Sequence, residues 1–233
     1  LIHIEAGLRS FNNSMPEEIN RKVTDHLSDA LFAPTNISVK NLLNEGIPSC
    51  KIFDVGDIMV DSLNLAIVNK RRIQTSEKFI LLTLHRPYNI DNPSRLVSIL
   101  EALDKLNTKI FFPVHPRTEN VLSGKGDFQN IIFCEPLSFF DMVNMQMDSF
   151  CIINDSGGVQ KEAYMLKKKC ITVRSETEWI ETLQNGWNTL VFDDFGLLEG
   201  IIQSTPGNYV ENVYGEPGVA VRISRELFLL LGK

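Results

Sequence analysis

Cysteine is scarce in this chain, and its spacing suits neither a metal site nor a redox pair. The 233 residues include four cysteines, at positions 50, 134, 151 and 170, and no CxxC spacing occurs. Cys151 and Cys170 fall within predicted buried strands, so free core thiols are expected. Such thiols are typical of a protein in a reducing cytoplasm. Because the sequence also lacks a His/Cys cluster, it predicts no metal site.

Long apolar runs and an excess of positive charge are also missing. No apolar run reaches the roughly 18 residues that a membrane-spanning helix needs. The chain opens at Leu1 without Met or a signal-peptide pattern, which suggests a fragment. The net charge of −6 argues against general nucleic-acid binding, so an anionic ligand must meet a local cluster of basic groups. A hydrophobic content of 43% is typical of a soluble globular protein.

The stretch CIINDSGGVQKEAYMLKKKCITVR, residues 151–174, combines a buried strand, a turn, a helix and a second strand. Gly157 and Gly158 let the backbone turn sharply and approach a ligand. The first N–H groups of the helix, with the Ser156 hydroxyl, could bind a phosphate. Arg174 ends the second strand and could close on the same anion. The alternative is a plain helix cap with glycines for chain reversal.

Apolar strands alternate with helical patterns along the chain, which predicts an α/β fold with parallel sheets. The polar stretch 69–76 is the best candidate for a linker, so a second domain is expected to start near Lys78. Its first strand, residues 79–84, is continuously apolar and ends in His85 and Arg86. A strand of this kind is typically buried on both faces of a parallel sheet.

A second strand of this domain, residues 110–114, also ends in basic groups, His115 and Arg117. Doubly wound sheets bind their ligands at the carboxyl ends of their strands. Two His/Arg pairs at equivalent strand ends, together with Arg174, therefore predict a basic crevice. For a single histidine the alternative is an exposed group or one satisfied in the core.

Two carboxylates near the amino terminus form another candidate site. Glu5 follows a short predicted strand, and Glu17 lies in the first turn of a helix introduced by Pro16. Because one loop separates the two carboxylates, they could converge for acid/base chemistry. The simpler alternative is that Glu17 complements the helix dipole. One apolar face is predicted for this helical pattern, formed by Ile19, Val23, Leu27 and Leu31.

Eight segments, in chain order, resemble the non-hydrolysing UDP-N-acetylglucosamine 2-epimerases: HIEAGLRS, MPEEINRKVTDHLSD, VGDIMVDSL, LTLHRP, PVHPRT, EPLSF, NDSGGVQKEA and VRSETEW. The resemblance implies a GT-B architecture, in which two Rossmann-like, doubly wound parallel-sheet domains face each other. It also implies that the chain begins partway through the first domain. Residues 1–72 would form the second half of that domain plus a linker, 73–220 the UDP-binding domain, and 221–233 a helix packing back on the first domain.

The chemistry that this resemblance implies is the interconversion of UDP-GlcNAc and UDP-ManNAc at C2. UDP is eliminated to leave a 2-acetamidoglucal and is then re-added, with the C2 proton delivered to the other face. By motif match, Glu5 and Glu17 are the implied acid/base groups, and His85 would aid the departure and return of UDP. The implied substrate-binding residues are Arg86, His115, Arg117, Ser156, Gly157, Gly158, Glu162 and Arg174.

Within that implied set, the serine and the two glycines would bind the diphosphate, and Glu162 would take the ribose hydroxyls. Arg86 and His115 would also contribute to a neighbouring activator site. The expected partners are a UDP-sugar and a second copy in a homodimer, without nucleic acid, membrane, metal or other cofactor. The lack of a GxGxxG motif agrees with the absence of a nicotinamide cofactor.

Three positions depart from the family pattern. Tyr88 stands where an acidic residue is common, Lys161 replaces a frequent Glu, and Met142 falls where an aromatic residue can stack near uracil. Other functions remain open beside the epimerase. One is a hydrolysing epimerase that releases ManNAc and UDP, and another acts on a diacetamido-uronic sugar nucleotide. The third is a GT-B glycosyltransferase or an inactive nucleotide-sugar-binding module.

Overall fold

A computed structural model of the chain describes residues 1–70, 77–114, 118 and 127–232. The strands are β1 (Ile2–Ile4), β2 (Ala30–Ala33), β3 (Ile52–Asp54), β4 (Phe79–Thr83), β5 (Lys109–Pro113), β6 (Ile131–Cys134), β7 (Cys151–Asn154), β8 (Lys169–Thr172) and β9 (Asn188–Leu190). The α-helices are α1 (Pro16–Leu27), α2 (Asn36–Asn44), α3 (Met59–Val68), α4 (Pro87–Ile90), α5 (Pro93–Asp104), α6 (Phe139–Asp148), α7 (Gly157–Met165), α8 (Leu198–Gln203) and α9 (Val219–Leu230). Short 3₁₀ segments occupy Ser49–Lys51, Ile180–Gly186 and Phe195–Leu197.

The chain divides into two α/β units. The first unit consists of Leu1–Val68 and Val210–Lys233, and the second unit of Asn69–Tyr209. Residues 210–220, expected in the second domain, therefore lie in the first unit. A main-chain contact explains this placement, because the Asp57 N–H donates to the Tyr214 carbonyl over 2.9 Å. Most of the expected linker, residues 71–76, lies outside the described residues.

The first unit contains a parallel sheet of three strands in the order β1-β2-β3. Its central strand, β2, is buried along its whole length. The hydrophobic core beside it contains Leu31, Ala33, Leu42 and Ile47. Within the described residues, β1 pairs with β2 alone and lies at one edge of this sheet.

Helix α9 is attached to the first unit at its amino-terminal end. The Asp61 carboxylate of α3 accepts main-chain N–H groups of Gly218 at 2.6 Å, Val219 at 3.3 Å and Ala220 at 2.8 Å. The Arg222 Nε donates to the Val55 carbonyl over 2.9 Å. These contacts join segments that lie more than 150 residues apart in the sequence.

The apolar face predicted for α1 does not pack into the core, and Leu31, predicted to share it, lies in β2 instead. Ile19, Val23 and Leu27 are 50%, 53% and 68% exposed. The helix instead turns Glu18 and Asp25 inward. Both carboxylates accept hydrogen bonds from the loop that follows β1, and these bonds hold the polar side of the helix inward.

The second unit contains a parallel sheet of six strands in the order β6-β5-β4-β7-β8-β9. The chain runs outward from β4 through β5 to β6, and later outward in the other direction from β7 to β9. The strand order therefore reverses between β4 and β7, as in doubly wound sheets. Alternate residues of β4 enter two different core clusters, with Ile80 and Leu82 in one and Phe79 and Leu81 in the other. This confirms that the strand is buried on both faces.

All four cysteines are free thiols, and Cys151 and Cys170 are buried, as predicted. Burial raises the pKa of each of these two thiols to about 12, so both stay protonated at neutral pH. Within the described part of the chain, no helix combines the length and apolar character needed to cross a membrane.

Candidate active site

The candidate site of the second unit lies where β4, β7 and β8 end. Thr83, Asn154 and Thr172 stand side by side in the sheet register. The residues that follow these strands therefore leave the sheet at one edge, beside the reversal of strand order, where open α/β sheets bind ligands. Four predicted site residues come together there: His85, Arg86, Ser156 and Arg174.

Ser156 and Gly157 form the turn from β7 into α7. The Ser156 side chain makes no capping hydrogen bond to the nine-residue helix that follows it. A Cβ on Gly157 would lie 2.9 Å from Glu178 Oε1, so a larger residue does not fit without displacing that carboxylate. Gly158 follows in the first turn and is partly exposed. The first turn of α7, with a hydroxyl beside it, therefore suits an anion such as a phosphate.

Arg174 is buried beside this turn, and half of its guanidinium is engaged. It is 2% exposed, and its Nη2 donates to Glu178 Oε2 over 2.9 Å. Its Nη1 is also buried and has no hydrogen-bond partner among the described residues. A buried donor without an acceptor is costly, so an anionic oxygen at Nη1 would stabilise this arrangement. The sequence interpretation did not single out Glu178.

A buried carboxylate, Asp155, joins the end of β7 to the end of β4. It accepts the main-chain N–H of His85 at 3.0 Å and of Arg86 at 2.9 Å, and the side-chain amide of Asn89 at 3.0 Å. The His85 Nδ1 lies 2.9 Å from Asp155 Oδ1, and the His85 side chain is 54% exposed. One ring nitrogen therefore contacts a buried carboxylate, while about half of the side-chain surface is exposed to solvent.

The electrostatics of Asp155 follow from these contacts. Burial acts to raise the pKa of Asp155, but the hydrogen bond and charge of His85, with the donors from Asn89 and Arg86, outweigh it and hold that pKa below its usual range. The sequence interpretation gave Asp155 no role. Its position directly after a buried strand and directly before the glycine turn was the signal that could have identified it.

Tyr88 shows that the charged groups at this edge share one region. Burial raises the pKa of Tyr88, which also feels the charges of Arg174, Asp155, Arg86 and Glu176. Two of the predicted basic groups therefore act on one side chain of α4. The remaining basic predictions, positions 115 and 117, lie outside the described residues.

Glu162 lies on α7 and is buried rather than open to solvent. Its Oε2 accepts a hydrogen bond from Gln146 Nε2 on α6 over 2.5 Å. Burial raises the pKa of Glu162, although the Gln146 donor and the Lys161 charge act in the opposite direction. The Gln146 Oε1 is also buried and lacks a hydrogen-bond partner within the described part of the chain. The predicted ribose role of Glu162 stays a prediction.

The structure accounts for two of the departures from the family pattern. Lys161 is buried with its ammonium 3.9 Å from the ring centroid of Trp179, a cation–π contact that stabilises a cation taken out of water. Met142 packs against the core cluster that contains Phe79 and Leu81, so it lies beside apolar core residues.

In the first unit, Glu5 opens a loop that is held from both sides. Its φ of +68° lies in the left-handed region, which non-glycine residues rarely adopt. The next N–H groups are fixed, because Ala6 donates to the Phe32 carbonyl over 3.1 Å and Gly7 donates to Asp25 over 3.1 Å. Backbone strain of this kind collects at functional sites, and Glu5 is partly exposed.

A buried ion cluster lies behind this loop. The Asp25 carboxylate is 2.6 Å from His3 Nδ1 and 2.7 Å from Arg9 Nη1. Arg9 also donates to both Glu45 oxygens, each over 2.7 Å. Burial acts to raise the pKa of Asp25, but the His3 and Arg9 hydrogen bonds outweigh it and lower that pKa. The ionised carboxylate therefore fixes the start of the loop.

Glu17 and Glu18 are neighbours with different surroundings. Glu18 is buried and accepts main-chain N–H groups of Ser10 at 2.8 Å and Phe11 at 3.2 Å. Glu17 is exposed in the first turn of α1. Glu18 thus holds the loop, whereas the Glu17 carboxylate is exposed.

Together, the first unit offers accessible carboxylates on a fixed loop and helix start. The second unit offers a helix-start turn that suits an anion, a buried arginine and a histidine in contact with a carboxylate. Within the described residues, no group of three or more His, Cys, Asp or Glu side chains is placed to hold a metal ion.

Comparison with known proteins gives consistent matches. The sequence profile of the UDP-N-acetylglucosamine 2-epimerase family matches residues 1–227. A UDP-N-acetylglucosamine 2-epimerase homolog of Methanococcus maripaludis is 42% identical over 96% of this chain and 67% of its own length. The UDP-2,3-diacetamido-2,3-dideoxy-D-glucuronate 2-epimerase of Pseudomonas aeruginosa is 39% identical over 97% of this chain and 67% of its own length. The chain thus spans about two thirds of the length of these relatives.

Solved structures match as well. The Methanocaldococcus jannaschii UDP-GlcNAc 2-epimerase in complex with UDP-GlcNAc and UDP has a TM-score of 0.88 at 38% identity, covering 98% of this chain and 68% of that one. The Neisseria meningitidis enzyme bound to UDP-GlcNAc has a TM-score of 0.86 at 28% identity, covering 98% and 69%. These matches, with the parallel sheets, confirm the predicted α/β fold class of GT-B type.

Proposed function

The chain belongs to the UDP-N-acetylglucosamine 2-epimerase family, and we propose that the full-length protein interconverts UDP-GlcNAc and UDP-ManNAc by inverting C2. The observation that carries this proposal is the anion-type turn at Ser156 and Gly157, with Arg174 and His85 at the same sheet edge. The Methanocaldococcus jannaschii relative holds UDP-GlcNAc and UDP, which supports a UDP-sugar as the ligand.

In this proposal the second unit binds the nucleotide. The first N–H groups of α7 and the Ser156 hydroxyl donate to the diphosphate, and Arg174 Nη1 supplies a charged donor that lacks an acceptor among the described residues. Glu162 accepts a ribose hydroxyl through the oxygen that Gln146 does not engage. These contacts keep UDP bound while its bond to the sugar is broken.

The proposed chemistry is an elimination followed by an addition. A carboxylate base removes the C2 proton, the C1–O bond breaks with its electron pair moving to the diphosphate, and UDP and a 2-acetamidoglucal result. UDP then re-adds at C1 while an acid delivers a proton to the opposite face of C2. Glu5 and Glu17 are the proposed acid/base groups, and His85 stabilises the charge on the departing diphosphate.

A second candidate substrate is a UDP-diacetamido-uronic sugar. The Pseudomonas aeruginosa relative named for that activity is 39% identical to this chain, against 42% for the Methanococcus maripaludis homolog. Such a small difference favours neither substrate strongly, and the reaction at C2 is the same for both.

The experiment that tests the proposal is proton NMR of the full-length protein with UDP-GlcNAc in D2O. We expect deuterium at C2 together with the signals of UDP-ManNAc. Free ManNAc would indicate the hydrolysing reaction instead. A folded protein that binds UDP but changes neither signal would contradict the proposal and favour a transferase or a binding module, unless UDP-diacetamido-glucuronate is turned over in parallel.

Variants of the two carboxylates provide the control. Glu5→Gln or Glu17→Gln should leave folding and UDP affinity nearly unchanged while slowing turnover by about 10²- to 10⁴-fold, the usual contribution of an acid/base group. A loss of stability with normal specific activity would show that the carboxylate is structural.

A further inference from the structure

We propose that Asp155 is the positioning residue for His85. It holds the imidazole with the Nδ1 proton on its carboxylate, so that Nε2 is the atom offered to the diphosphate. This inference rests on the proposed function and deepens it, because it names the group that sets the orientation and protonation of a proposed catalytic histidine.

The backbone and the ring of His85 both contact one carboxylate, that of Asp155. The His85 main-chain N–H donates to Asp155 Oδ1 over 3.0 Å, and Nδ1 of the ring lies 2.9 Å from the same oxygen. The main-chain N–H of Arg86 donates to the other oxygen, Oδ2, over 2.9 Å. Because peptide and ring are anchored at the same place, the direction of the imidazole is fixed relative to the end of β7.

Asp155 is itself prevented from turning away. The Asn89 side-chain amide donates to Asp155 Oδ2 over 3.0 Å and to the Val173 carbonyl over 3.1 Å. The Asn89 side-chain Oδ1 in turn accepts a hydrogen bond from Arg95 Nε over 2.9 Å, and Arg95 Nη1 donates to Asp193 Oδ1 over 2.7 Å. A chain of side-chain hydrogen bonds thus runs behind the carboxylate and holds its direction.

An ionised carboxylate only accepts hydrogen bonds, so the ring nitrogen facing it must carry a proton. Neutral His85 then has its lone pair on Nε2, and the imidazolium has an N–H there. The nearby negative charge of Asp155 stabilises the imidazolium. As the C1–O bond breaks, the oxygen of the departing diphosphate gains the electron pair, and the Nε2–H donates a hydrogen bond to it. The C2 proton goes to the carboxylate base, so His85 keeps its proton throughout.

Arg86, Arg174 and Glu176 lie near enough to this pair to act, with Asp155, on the Tyr88 hydroxyl. Asp155 contacts the His85 ring itself, at 2.9 Å. We therefore expect removal of the Asp155 carboxylate to change which ring nitrogen carries the proton.

The test is long-range ¹H–¹⁵N correlation NMR of the full-length protein, which reports the proton on each imidazole nitrogen. Subtraction of the His85→Gln spectrum identifies the His85 signals. In the wild type we expect the neutral ring to carry its proton on Nδ1. In Asp155→Asn the new amide can donate to Nδ1, so neutral His85 should carry its proton on Nε2.

The matched control is Asn89→Ala, which removes another buried hydrogen bond of Asp155 but leaves the carboxylate beside the ring. It should lose stability without changing the His85 tautomer. The inference would be overturned if Nδ1 of His85 carried no proton in the wild type. It would also be overturned if the His85 tautomer were unchanged in folded Asp155→Asn. If Asp155→Asn does not fold, the wild-type spectrum alone decides.

Turnover provides a second readout. Asp155→Asn should lower kcat by about 10²- to 10⁴-fold, as the loss of an orienting carboxylate does in a catalytic triad. An unchanged kcat in folded Asp155→Asn would count against the inference. A wild type without epimerase activity would contradict the proposed function, and the tautomer measurement would still test Asp155.

Discussion

The buried side chains of Glu162 and Gln146 are incompletely hydrogen-bonded among the described residues. Glu162 and Gln146 face each other inside the second unit, and the carboxylate receives one amide hydrogen bond. The Gln146 Oε1 has no hydrogen-bond partner among the described residues. Because burial raises the pKa of Glu162, the ionised form is less stable in the folded protein than in the unfolded chain. The arrangement favours a ligand that donates a hydroxyl.

The corresponding variant is Glu162→Gln. A second amide at this position can both accept from Gln146 Nε2 and donate to Gln146 Oε1, so we expect a higher melting temperature at pH 8. UDP affinity should fall by about 1 to 3 kcal/mol, the cost of losing a charged hydrogen-bond acceptor. Differential scanning calorimetry and titration calorimetry measure the two effects.

The pH dependence of that stability gain has a definite sign. The folded-state pKa of Glu162 lies above the unfolded value, so the penalty is complete at high pH and disappears as both states become protonated. The gain from Glu162→Gln should therefore shrink as the pH falls toward about 4. Exposed Glu101 provides the control, and Glu101→Gln should leave both measurements unchanged. Lower stability of Glu162→Gln at pH 8 would contradict this account.

Residues of the candidate site differ in how far the sequence could predict them. Ser156, Gly157 and Arg174 belong to one strand–turn–helix–strand stretch, so their local pattern was enough to suggest an anion site. Asp155 and Gln146 act through partners on other elements, 70 and 16 residues away along the chain. A single sequence carries no periodic signal for such contacts.

Secondary-structure elements depend on similar distant groups. Helix α9 begins at Val219 without a capping side chain of its own, and Asp61 of α3 accepts three of the first N–H groups. Burial acts to raise the pKa of Asp61, but these three donors outweigh it and lower that pKa. The carboxylate thus serves as the cap of a helix far away in the sequence.

Removal of this cap should loosen α9. Asp61→Ala is expected to cost about 1 to 2 kcal/mol of unfolding free energy, typical of a lost helix cap. Urea unfolding measures the cost, and hydrogen exchange should show faster exchange in residues 218–230. Because the Asp61 pKa is depressed on folding, its contribution is present above about pH 4 and is lost below it.

The control for this variant is Asp54→Ala, which removes an exposed carboxylate of β3. It should leave unfolding and exchange nearly unchanged. If α9 exchanged no faster in Asp61→Ala than in this control, the cap would not be what holds the helix.

Helix α1 shows why an element can be predicted correctly and its orientation wrongly. Its start follows from Pro16, which was visible in the sequence, whereas the predicted apolar period ran on to Leu31, a residue of β2. Its inward side is set by the carboxylates of Glu18 and Asp25, which accept main-chain and side-chain donors of the loop after β1. Hydrophobic periodicity cannot detect such a polar core.

For the whole molecule, alternation of strands and helices was enough to predict two α/β domains with parallel sheets. The bounds of the first unit were harder, because it contains two separate chain segments. Long-range contacts place residues 210–220 with the amino-terminal part, such as Asp57 to Tyr214 and Asp61 to Gly218. Neither residue type nor spacing predicts a contact between residues so far apart in the sequence.

The first unit also predicts how the 233-residue chain will behave in solution. It exposes the apolar side chains of α1 and, on the edge strand β1, Ile2 and Ile4. Exposed edge strands with apolar neighbours favour association. We expect concentration-dependent self-association in light scattering, reduced by Ile2→Lys with Val23→Lys. Ile180→Lys, at an exposed position of the second unit, should have no effect. The expectation would be contradicted by a mass that does not change with protein concentration and is the same in the double variant Ile2→Lys with Val23→Lys.

The split first unit has a consequence for the order in which the chain folds during synthesis. Domains generally fold as they emerge, starting from the amino terminus. Here the second unit, Asn69–Tyr209, leaves the ribosome before the segment that begins at Val210. Until that segment appears, the Asp61 carboxylate and the Val55 carbonyl lack their partners on α9. A chain whose emerged part ends at Tyr209 would therefore carry a finished second unit and an unfinished first one, although the first unit began to emerge earlier.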